Sequence, residues 1–282
     1  MIAWAFPGQG SQRAGMGAEL PRFAVLAAQA QRAVGIDLMQ RCVHDPDPAW
    51  APAELQQAIF VTTRAAAAAA RDRLPPPSAV VGHSLGEYAA LVEADVLDYE
   101  TALRLVDVRG RAMAQTGAQA PGAMAAVVGL PHDTIAAICT QLGDVWIANV
   151  NSPRQIVVSG TLAAVATATE QLERAGARMI VRLPIAIACH TPLMAPAAER
   201  LREALALTPL RPPRIPFYSC ADAAPKHDPR EIAQALVDGV TRPVLFAATV
   251  ARMRDDGVTD FAEVGPGRVL KGLLRDNELT TK

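Results

Sequence analysis

A serine between two glycines is the residue of this sequence best suited to covalent chemistry. Residues 82–86 read Gly-His-Ser-Leu-Gly, the G-x-S-x-G pattern, with Ser84 at its centre. A short apolar segment, residues 79–81, precedes the pattern, and a helix-like segment that begins at Glu87 follows it. A serine at such a strand-to-helix turn exposes its hydroxyl, and the helix N-terminus supplies free N–H groups where an oxyanion would form. The pattern therefore predicts a nucleophilic serine for acyl transfer.

The histidines are the candidate bases, because a serine hydroxyl is a weak nucleophile without one. His190 follows an apolar run and precedes Thr-Pro, at the kind of sheet edge where α/β proteins place their sites. His44 and His227 adjoin Asp-Pro in loop-like segments, and His132 lies before a helix-like segment. His83 is next to the serine, but on so sharp a turn its side chain is expected to point away from the hydroxyl. The residues alone leave both a catalytic and a structural role open for His190.

Arg109 is the third residue to which chemistry could be assigned. It lies in the helix-like segment Leu-Val-Asp-Val-Arg-Gly, which is otherwise apolar on one face. One interpretation is a surface arginine whose stem covers apolar neighbours. The other is a clamp for a carboxylate, which the planar guanidinium binds through two parallel hydrogen bonds. The residue types and their spacing, taken alone, predict a serine enzyme for acyl transfer and nothing more specific.

Composition and charge exclude several other classes of protein. The 282 residues are 51% hydrophobic and carry 27 basic against 28 acidic side chains, which indicates a folded chain of one large or two small domains. The balanced charge and the aromatic content of 4% argue against a nucleic-acid or anionic-membrane surface. No apolar run approaches the roughly 20 residues of a membrane span. The four cysteines and five histidines are scattered, so neither a disulfide framework nor a metal site is indicated.

The elements that must position these residues alternate between strand and helix character. Three short apolar segments end in glycine or proline and are predicted to be parallel strands of an α/β sheet with helices on both faces: residues 2–6, 79–81 and 260–264. The middle of the chain has a β-α-β-α-β pattern that could form a small inserted sheet. Its strands and helices are predicted at residues 122–129, 134–142, 155–160, 162–175 and 177–183.

Taken together, these pieces resemble the malonyl-CoA:acyl carrier protein transacylases of fatty-acid synthesis and the related acyltransferase domains of polyketide synthases. The matching segments follow the family's order from residue 6 to about residue 272. They are Phe-Pro-Gly-Gln-Gly-Ser-Gln from Phe6, Gly-His-Ser-Leu-Gly-Glu from Gly82, Val108-Arg-Gly110 with Met113, Asn-Val-Asn-Ser-Pro from Asn149, His190 with Leu193-Met194, Arg242-Pro243, and Glu-Val-Gly-Pro-Gly from Glu263.

The resemblance implies a fold of the α/β class in two parts. A large α/β-hydrolase-like core with a parallel sheet would comprise residues 1–118 and 188–282, and a small ferredoxin-like subdomain would comprise residues 119–187. The active site would lie in the gorge between them.

The resemblance also implies a role for each site residue. Ser84 would be the nucleophile, with His190 as its general base and later its general acid. The backbone N–H groups of Gln9 and Leu85 would form the oxyanion hole, and Arg109 would hold the free carboxylate of the malonyl group. Malonyl-CoA would acylate the serine, and the thiol of a holo acyl carrier protein would then take the malonyl group (a ping-pong reaction).

The implied protein needs no metal and no bound cofactor, because malonyl-CoA enters as a substrate. The first seven residues lack the basic segment and long apolar run of a signal peptide, so a cytoplasmic location is expected. The expected partners are malonyl-CoA and the carrier protein, without nucleic acid or membrane, and the expected state is a monomer.

Four positions depart from the family's common pattern. Cys189 replaces serine and Ala188 replaces proline before the histidine, Gly239 lies where glutamine is frequent, and Phe246 replaces tryptophan. The main-chain carbonyl that orients the family's histidine can still come from glycine. These departures bear on which extender unit fits, not on the class of reaction.

Several functional alternatives remain open. A trans-acting acyltransferase of a polyketide synthase and the malonyl-transfer subunit of malonate decarboxylase share this chemistry and differ in their partner. An acyl hydrolase that clears stalled chains from carrier proteins would have no need of a buried Arg109. A non-catalytic docking module would need a broken dyad, whereas Ser84 and His190 are both present.

Overall fold

The strands form two separate sheets. The computed structural model describes residues 1–45, 50–279 and 281. In chain order its strands are β1 (Ile2–Phe6), β2 (Ala79–Gly82), β3 (Gly122–Val128), β4 (Val145–Ser152), β5 (Gln155–Thr161), β6 (Met179–Arg182), β7 (Phe217–Ser219), β8 (Ala224–Lys226) and β9 (Asp260–Glu263).

Helices cover both sheets, and most begin or end at recognisable signals. In chain order they are α1 (Phe23–Val34), α2 (Pro52–Ala70), α3 (Gly86–Glu93), α4 (Tyr99–Gln119), α5 (His132–Leu142), α6 (Leu162–Arg174), α7 (Ala195–Ala206), α8 (Pro229–Thr241), α9 (Phe246–Asp255) and α10 (Val269–Asp276). Asp98 caps α4 through the N–H of Thr101, and Asp228 caps α8 through the N–H of Arg230.

The larger sheet has the strand order β8-β7-β2-β1-β9, and β7, β2, β1 and β9 run parallel. Every residue of β1 is buried, as expected of a strand inside a parallel sheet that is covered on both faces. Trp4 and Phe6 belong to the core on one face, whereas Ala3 and Ala5 belong to the core on the other. The predicted strands at residues 2–6, 79–81 and 260–264 are thereby confirmed.

The larger sheet has two short strands at one edge that were not predicted from the sequence. The short strand β7 pairs in parallel with β2, and β8 pairs antiparallel with β7. Each has three residues, and β8 contains Pro225. A strand of this length carries too few alternating positions to show a period in the sequence, and proline is tolerated because β8 lies at the edge.

The smaller sheet has the strand order β4-β5-β3-β6 with antiparallel neighbours throughout. The element order is β-α-β-β-α-β, the ferredoxin-like arrangement, with α5 and α6 packed on one face. The predicted β-α-β-α-β order is therefore wrong by one strand, β4. Asn149 and Asn151 interrupt the apolar pattern of β4, and register irregularities in its pairing with β5 disturb it further.

Hydrogen bonds join the smaller sheet to the segment between α8 and α9 and to the end of α10. The N–H of Val150 in β4 donates to the carbonyl of Val244, and the N–H of Val244 donates to the carbonyl of Ala148. The side-chain amide of Asn277 also donates to the carbonyl of Asn151. The smaller sheet is thus attached to the helical segments that follow β8 and β9.

Two further properties belong to the described residues. None of the helices in this part of the chain is both long enough and apolar enough to cross a membrane. The four cysteines, Cys42, Cys139, Cys189 and Cys220, are all buried free thiols.

Candidate active site

Ser84 lies on a sharp turn between β2 and α3. Its φ of 53° falls in the left-handed region, which is unusual for a residue other than glycine. The turn is tight because the flanking glycines admit close backbone contacts. A Cβ on Gly82 would lie 2.0 Å from the nitrogen of Glu87, and a Cβ on Gly86 would lie 2.0 Å from the carbonyl oxygen of Phe6. The glycines of the G-x-S-x-G pattern therefore permit the geometry that exposes the serine.

His190 is the histidine that reaches this serine. Its Nε2 lies 3.0 Å from Ser84 Oγ, and its Nδ1 lies 2.7 Å from the carbonyl oxygen of Gly239. A carbonyl only accepts, so Nδ1 carries the proton and Nε2 presents its lone pair to the serine hydroxyl. This carbonyl is available because the residue four positions on, Pro243, has no N–H to continue the helical pattern. Gly239 thus supplies the orienting main-chain carbonyl that the resemblance implied.

The environment keeps the imidazole of His190 neutral. Burial, and after it the positive charge of Arg109, lowers the pKa of His190 from 6.5 to about 3, while the bond to Gly239 opposes the shift. A neutral ring is the form that can accept a proton from a hydroxyl.

Arg109 approaches Ser84 from α4. Its guanidinium donates one hydrogen bond to Ser84 Oγ at 2.9 Å and another to Oε1 of Gln56. The residue is only 4% exposed, so the interpretation as a surface arginine is wrong. Within the described ranges no carboxylate is hydrogen-bonded to it. A buried cation with neutral partners is costly, and it is suited to receive an anion.

Two backbone N–H groups are free beside the serine. The N–H groups of Gln9 and Leu85 find no acceptor among the described residues, whereas those of Gly86 and Glu87 bond within the turn. The loop after β1 comes close to this turn because residue 8 is glycine. A Cβ on Gly8 would lie 2.5 Å from a carbonyl oxygen of the turn and 3.6 Å from the nitrogen of Leu85. The two N–H groups are therefore in neighbouring segments, as an oxyanion hole requires.

A cleft of about 270 Å³ opens over Ser84 and His190 between the two sheets. The smaller sheet contributes strand residues to the wall, and the loop after β1 and the start of α10 contribute others. The lining includes Gln9, Met124, Ala126, Asn149, Asn151, Gln155, Val157, Cys189 and Leu270. It is mostly apolar with a few polar groups, which is the usual character of a site for a small ligand.

The structure adds residues that sequence reasoning missed. Gln56, an uncharged residue of α2, accepts a hydrogen bond from Arg109, and His83 donates to Asn151 Oδ1 at 2.8 Å rather than to Ser84. Glu87 was recognised only as part of a matching segment, yet it is buried one turn after the serine. Nothing in the sequence distinguished Gln56 from its polar neighbours in α2, Glu54 and Gln57.

No group of three or more His, Cys, Asp or Glu side chains in the described chain is placed to hold a metal ion.

Known proteins resemble this chain in sequence and in fold. The family described as "Acyl transferase domain" matches residues 3–277. A malonyl CoA-acyl carrier protein transacylase of Haemophilus influenzae is 38% identical over 97% of this chain and 91% of its own length. The crystal structure of the malonyl-CoA:acyl carrier protein transacylase of Xanthomonas oryzae is 36% identical with a TM-score of 0.95, covering 100% of this chain and 93% of that one.

A further solved structure shows a relative with a partner. It is described as a type II PKS acyl-carrier protein in complex with its malonyl-transacylase, and it is 33% identical with a TM-score of 0.94 over 99% of this chain and 94% of that one. These similarities extend over almost the whole chain and confirm the resemblance found in the sequence. The chain therefore belongs to the acyl transferase family and, within it, to the malonyl-CoA:acyl carrier protein transacylases.

Proposed function

We propose that the protein transfers a malonyl group from malonyl-CoA to the phosphopantetheine thiol of an acyl carrier protein through a malonyl ester of Ser84. The observation that carries the proposal is the position of Ser84 Oγ, 3.0 Å from Nε2 of His190 and 2.9 Å from a guanidinium nitrogen of Arg109. A nucleophile therefore has a base on one side and a carboxylate-binding cation on the other.

The first half-reaction forms the acyl-enzyme. His190 Nε2 takes the hydroxyl proton as Ser84 Oγ attacks the thioester carbonyl, and the N–H groups of Gln9 and Leu85 bind the resulting oxyanion. When the intermediate collapses, the C–S bond breaks and the CoA sulfur takes the proton from His190. One oxyanion donor of this kind contributes about 10²–10³ in rate, because it acts on charge that exists only in the transition state.

The second half-reaction runs the same steps with a different thiol. His190 takes the proton of the phosphopantetheine thiol, the sulfur attacks the serine ester, and Ser84 leaves with the proton. Arg109 holds the free carboxylate of the acyl group throughout. Because its guanidinium is already in contact with Ser84 Oγ, it favours a short acyl chain that ends in a carboxylate.

The wider setting of the reaction is part of the same proposal. Malonyl-CoA is a substrate rather than a resident cofactor, and no metal takes part. The partner is a holo acyl carrier protein, of fatty-acid or polyketide synthesis, and the enzyme acts as a cytoplasmic monomer. The two sheets support a division into a catalytic part, residues 1–118 and 188–282, and a small subdomain, residues 119–187.

Intact-protein mass spectrometry tests the proposal directly. The protein is mixed briefly with malonyl-, methylmalonyl- or acetyl-CoA, in parallel with the Ser84→Ala variant, and a holo carrier protein is then added. A malonyl adduct that requires Ser84 and passes to the carrier is the expected result, and the relative labelling reports the extender preference. Hydrolysis without a transferable adduct would instead show an acyl hydrolase.

A further inference from the structure

A second, much smaller cavity also borders Ser84. Its volume is about 10 Å³, close to the space of a single water molecule. Its lining joins the nucleophile turn to α4, α8 and the segment after β7, and consists of Ser84, Glu87, Tyr88, Arg109, Cys220, Ala221, Leu236, Gly239, Pro243 and Val244. The cavity thus brings a buried carboxyl group and the buried guanidinium to one space beside the nucleophile.

Glu87 is held firmly at this position. It is 4% exposed, and its Oε1 accepts hydrogen bonds from the hydroxyl of Ser219 at 3.0 Å and from the N–H of Cys220 at 2.8 Å. Its Oε2 lies 3.9 Å from where a Cβ on Gly239 would be. One carboxyl oxygen is therefore fixed to the end of β7, while the other faces the side of the cavity formed by α8.

Arg109 is the positive charge that acts on the Glu87 carboxyl group. Arg109 on α4 favours the ionised form of Glu87, whereas Asp222 beyond β7 opposes it. Tyr88 on the same helix and Cys220 after β7 remain neutral, since burial raises the pKa of both groups. The residues that α8 and its following turn contribute to the cavity carry no ionisable side chain. Arg109 in turn has only neutral hydrogen-bond partners in the described structure.

We propose that Glu87 is the counter-ion of Arg109 in the free enzyme and takes up one proton when the malonyl carboxylate of the acyl-enzyme replaces it in that role. The proposal rests on the proposed function, because it requires Arg109 to bind the malonyl carboxylate. The exchange of counter-ions itself changes one covalent bond: a proton from solvent bonds to a carboxylate oxygen of Glu87. The acylation of Ser84 proceeds as described above. Glu87 is thus a positioning residue that neutralises the buried cation before the substrate does.

The position of the titration makes this exchange measurable near neutral pH. Burial raises the pKa of Glu87 to about 7, against the opposing effect of its hydrogen bonds and of Arg109. A second carboxylate brought into the site is a like charge, which commonly raises such a pKa by about one or more. At pH 7.5 the acyl-enzyme should therefore bind about half a proton more than the free enzyme. His190 does not contribute, because its pKa of about 3 is far below this range.

Proton uptake on acylation tests the proposal. The full-length protein and its Glu87→Gln variant are mixed with malonyl-CoA at pH 7.5 in weak buffer with an indicator dye, and mass spectrometry of the same samples measures acylation. Glutamine keeps an Oε1 acceptor for Ser219 and Cys220, so the variant is a close structural match. Both proteins release the same CoA thiol, so the difference between them isolates Glu87. We expect about half a proton per acylated Ser84 in the wild type relative to the variant.

Each other outcome has a distinct meaning. Equal proton uptake by two proteins that are both malonylated overturns the role of Glu87 and leaves the proposed function intact. The same excess uptake on acylation by acetyl-CoA also overturns it, since that acyl group brings no carboxylate. Absence of any malonyl adduct refutes the proposed function and this inference with it.

A measurement on the wild type alone covers the case in which the variant does not fold. Difference infrared spectroscopy with ¹³C-labelled glutamate should show a carboxylate band lost and a protonated carboxyl band gained on malonylation. An unchanged glutamate spectrum at full malonylation overturns the proposal.

Discussion

Replacing Arg109 by alanine separates binding of the malonyl carboxylate from chemistry at Ser84. In the structure the guanidinium is 4% exposed and donates to Ser84 Oγ at 2.9 Å, so its removal affects both the acyl pocket and the nucleophile. The effect on the nucleophile is common to every acyl-CoA. The effect on the carboxylate is confined to malonyl-CoA, because acetyl-CoA has no free carboxylate. The ratio of kcat/KM for malonyl-CoA to kcat/KM for acetyl-CoA therefore isolates it.

The size of the loss follows from the burial of the ion pair that the malonyl carboxylate would form with Arg109. Removing one partner of a buried, hydrogen-bonded charge pair costs about 2–5 kcal/mol, which corresponds to about 30-fold to 4000-fold. Taking about 3 kcal/mol, the ratio of kcat/KM for malonyl-CoA to that for acetyl-CoA should fall by about 150-fold in Arg109→Ala. Acetyl-CoA loses only the effect that comes through the Ser84 hydrogen bond.

Single-turnover acylation followed by intact-protein mass spectrometry measures this ratio. Arg111→Ala is the matched control, because Arg111 lies on the same helix with its side chain 65% exposed and paired to Asp107. A surface pair of this kind contributes at most about 1 kcal/mol to stability, so the control should keep the wild-type ratio. If Arg109→Ala slowed both acyl-CoA substrates equally, the guanidinium would act only on Ser84 and the assignment of the carboxylate would be wrong.

Three further predictions follow from the geometry of the site. Gln56→Ala removes the neutral acceptor of Arg109, and the loss of one hydrogen bond to a charged group, about 1.5 kcal/mol, should lower the malonyl-to-acetyl ratio about tenfold in the same assay. An unchanged ratio would show that Gln56 does not orient the guanidinium. The ring of His190, with a pKa of about 3 against the ordinary 6.5, should stay neutral from about pH 5 to pH 8, so its NMR resonances should not titrate there. A midpoint near 6.5 would contradict the effect of burial and Arg109. Gly86→Ala places a Cβ 2.0 Å from the carbonyl oxygen of Phe6 and should cost about 3 kcal/mol in urea unfolding, whereas Gly272→Ala, with no atom within 4 Å, should stabilise α10 by up to about 1 kcal/mol. Equal unfolding midpoints for these two variants would count against the close packing of the turn.

The turn that carries Ser84 and the strands beside it were predictable because their signals are local. The apolar segments of β1, β2 and β9 are short, continuous and ended by glycine or proline, and the serine follows one of them. The missing strand β4 shows the limit of this reasoning. Asn149 and Asn151 are both buried and line the cleft, where Asn151 hydrogen-bonds with His83 and Gln155, and the sequence gives no sign of that cleft.

The polar neighbours of Arg109 were beyond prediction for a different reason. Gln56 and Glu87 reach the site from separate helices, and both hydrogen-bond with residues that are distant along the chain. Nothing in the residues themselves tells a buried guanidinium from an exposed one. Only the resemblance to a family assigned Arg109 a role, and the structure then showed its burial.

The backbone, more than side-chain identity, holds Ser84 and His190 in place. Ser84 and His190 both have left-handed φ angles, of 53° and 61°, a conformation that costs about 1–3 kcal/mol for such residues. That cost is offset by the close backbone contacts at Gly82 and Gly86 and by the hydrogen bond from His190 to the end of α8. These contacts depend on the two glycines and on a main-chain carbonyl, not on other side chains. His190 is oriented by the main-chain carbonyl of Gly239, so a different side chain at this position changes the wall of the smaller cavity without removing the acceptor. The departures at residues 189 and 239 should therefore alter which acyl group fits and leave the alignment of base and nucleophile unchanged.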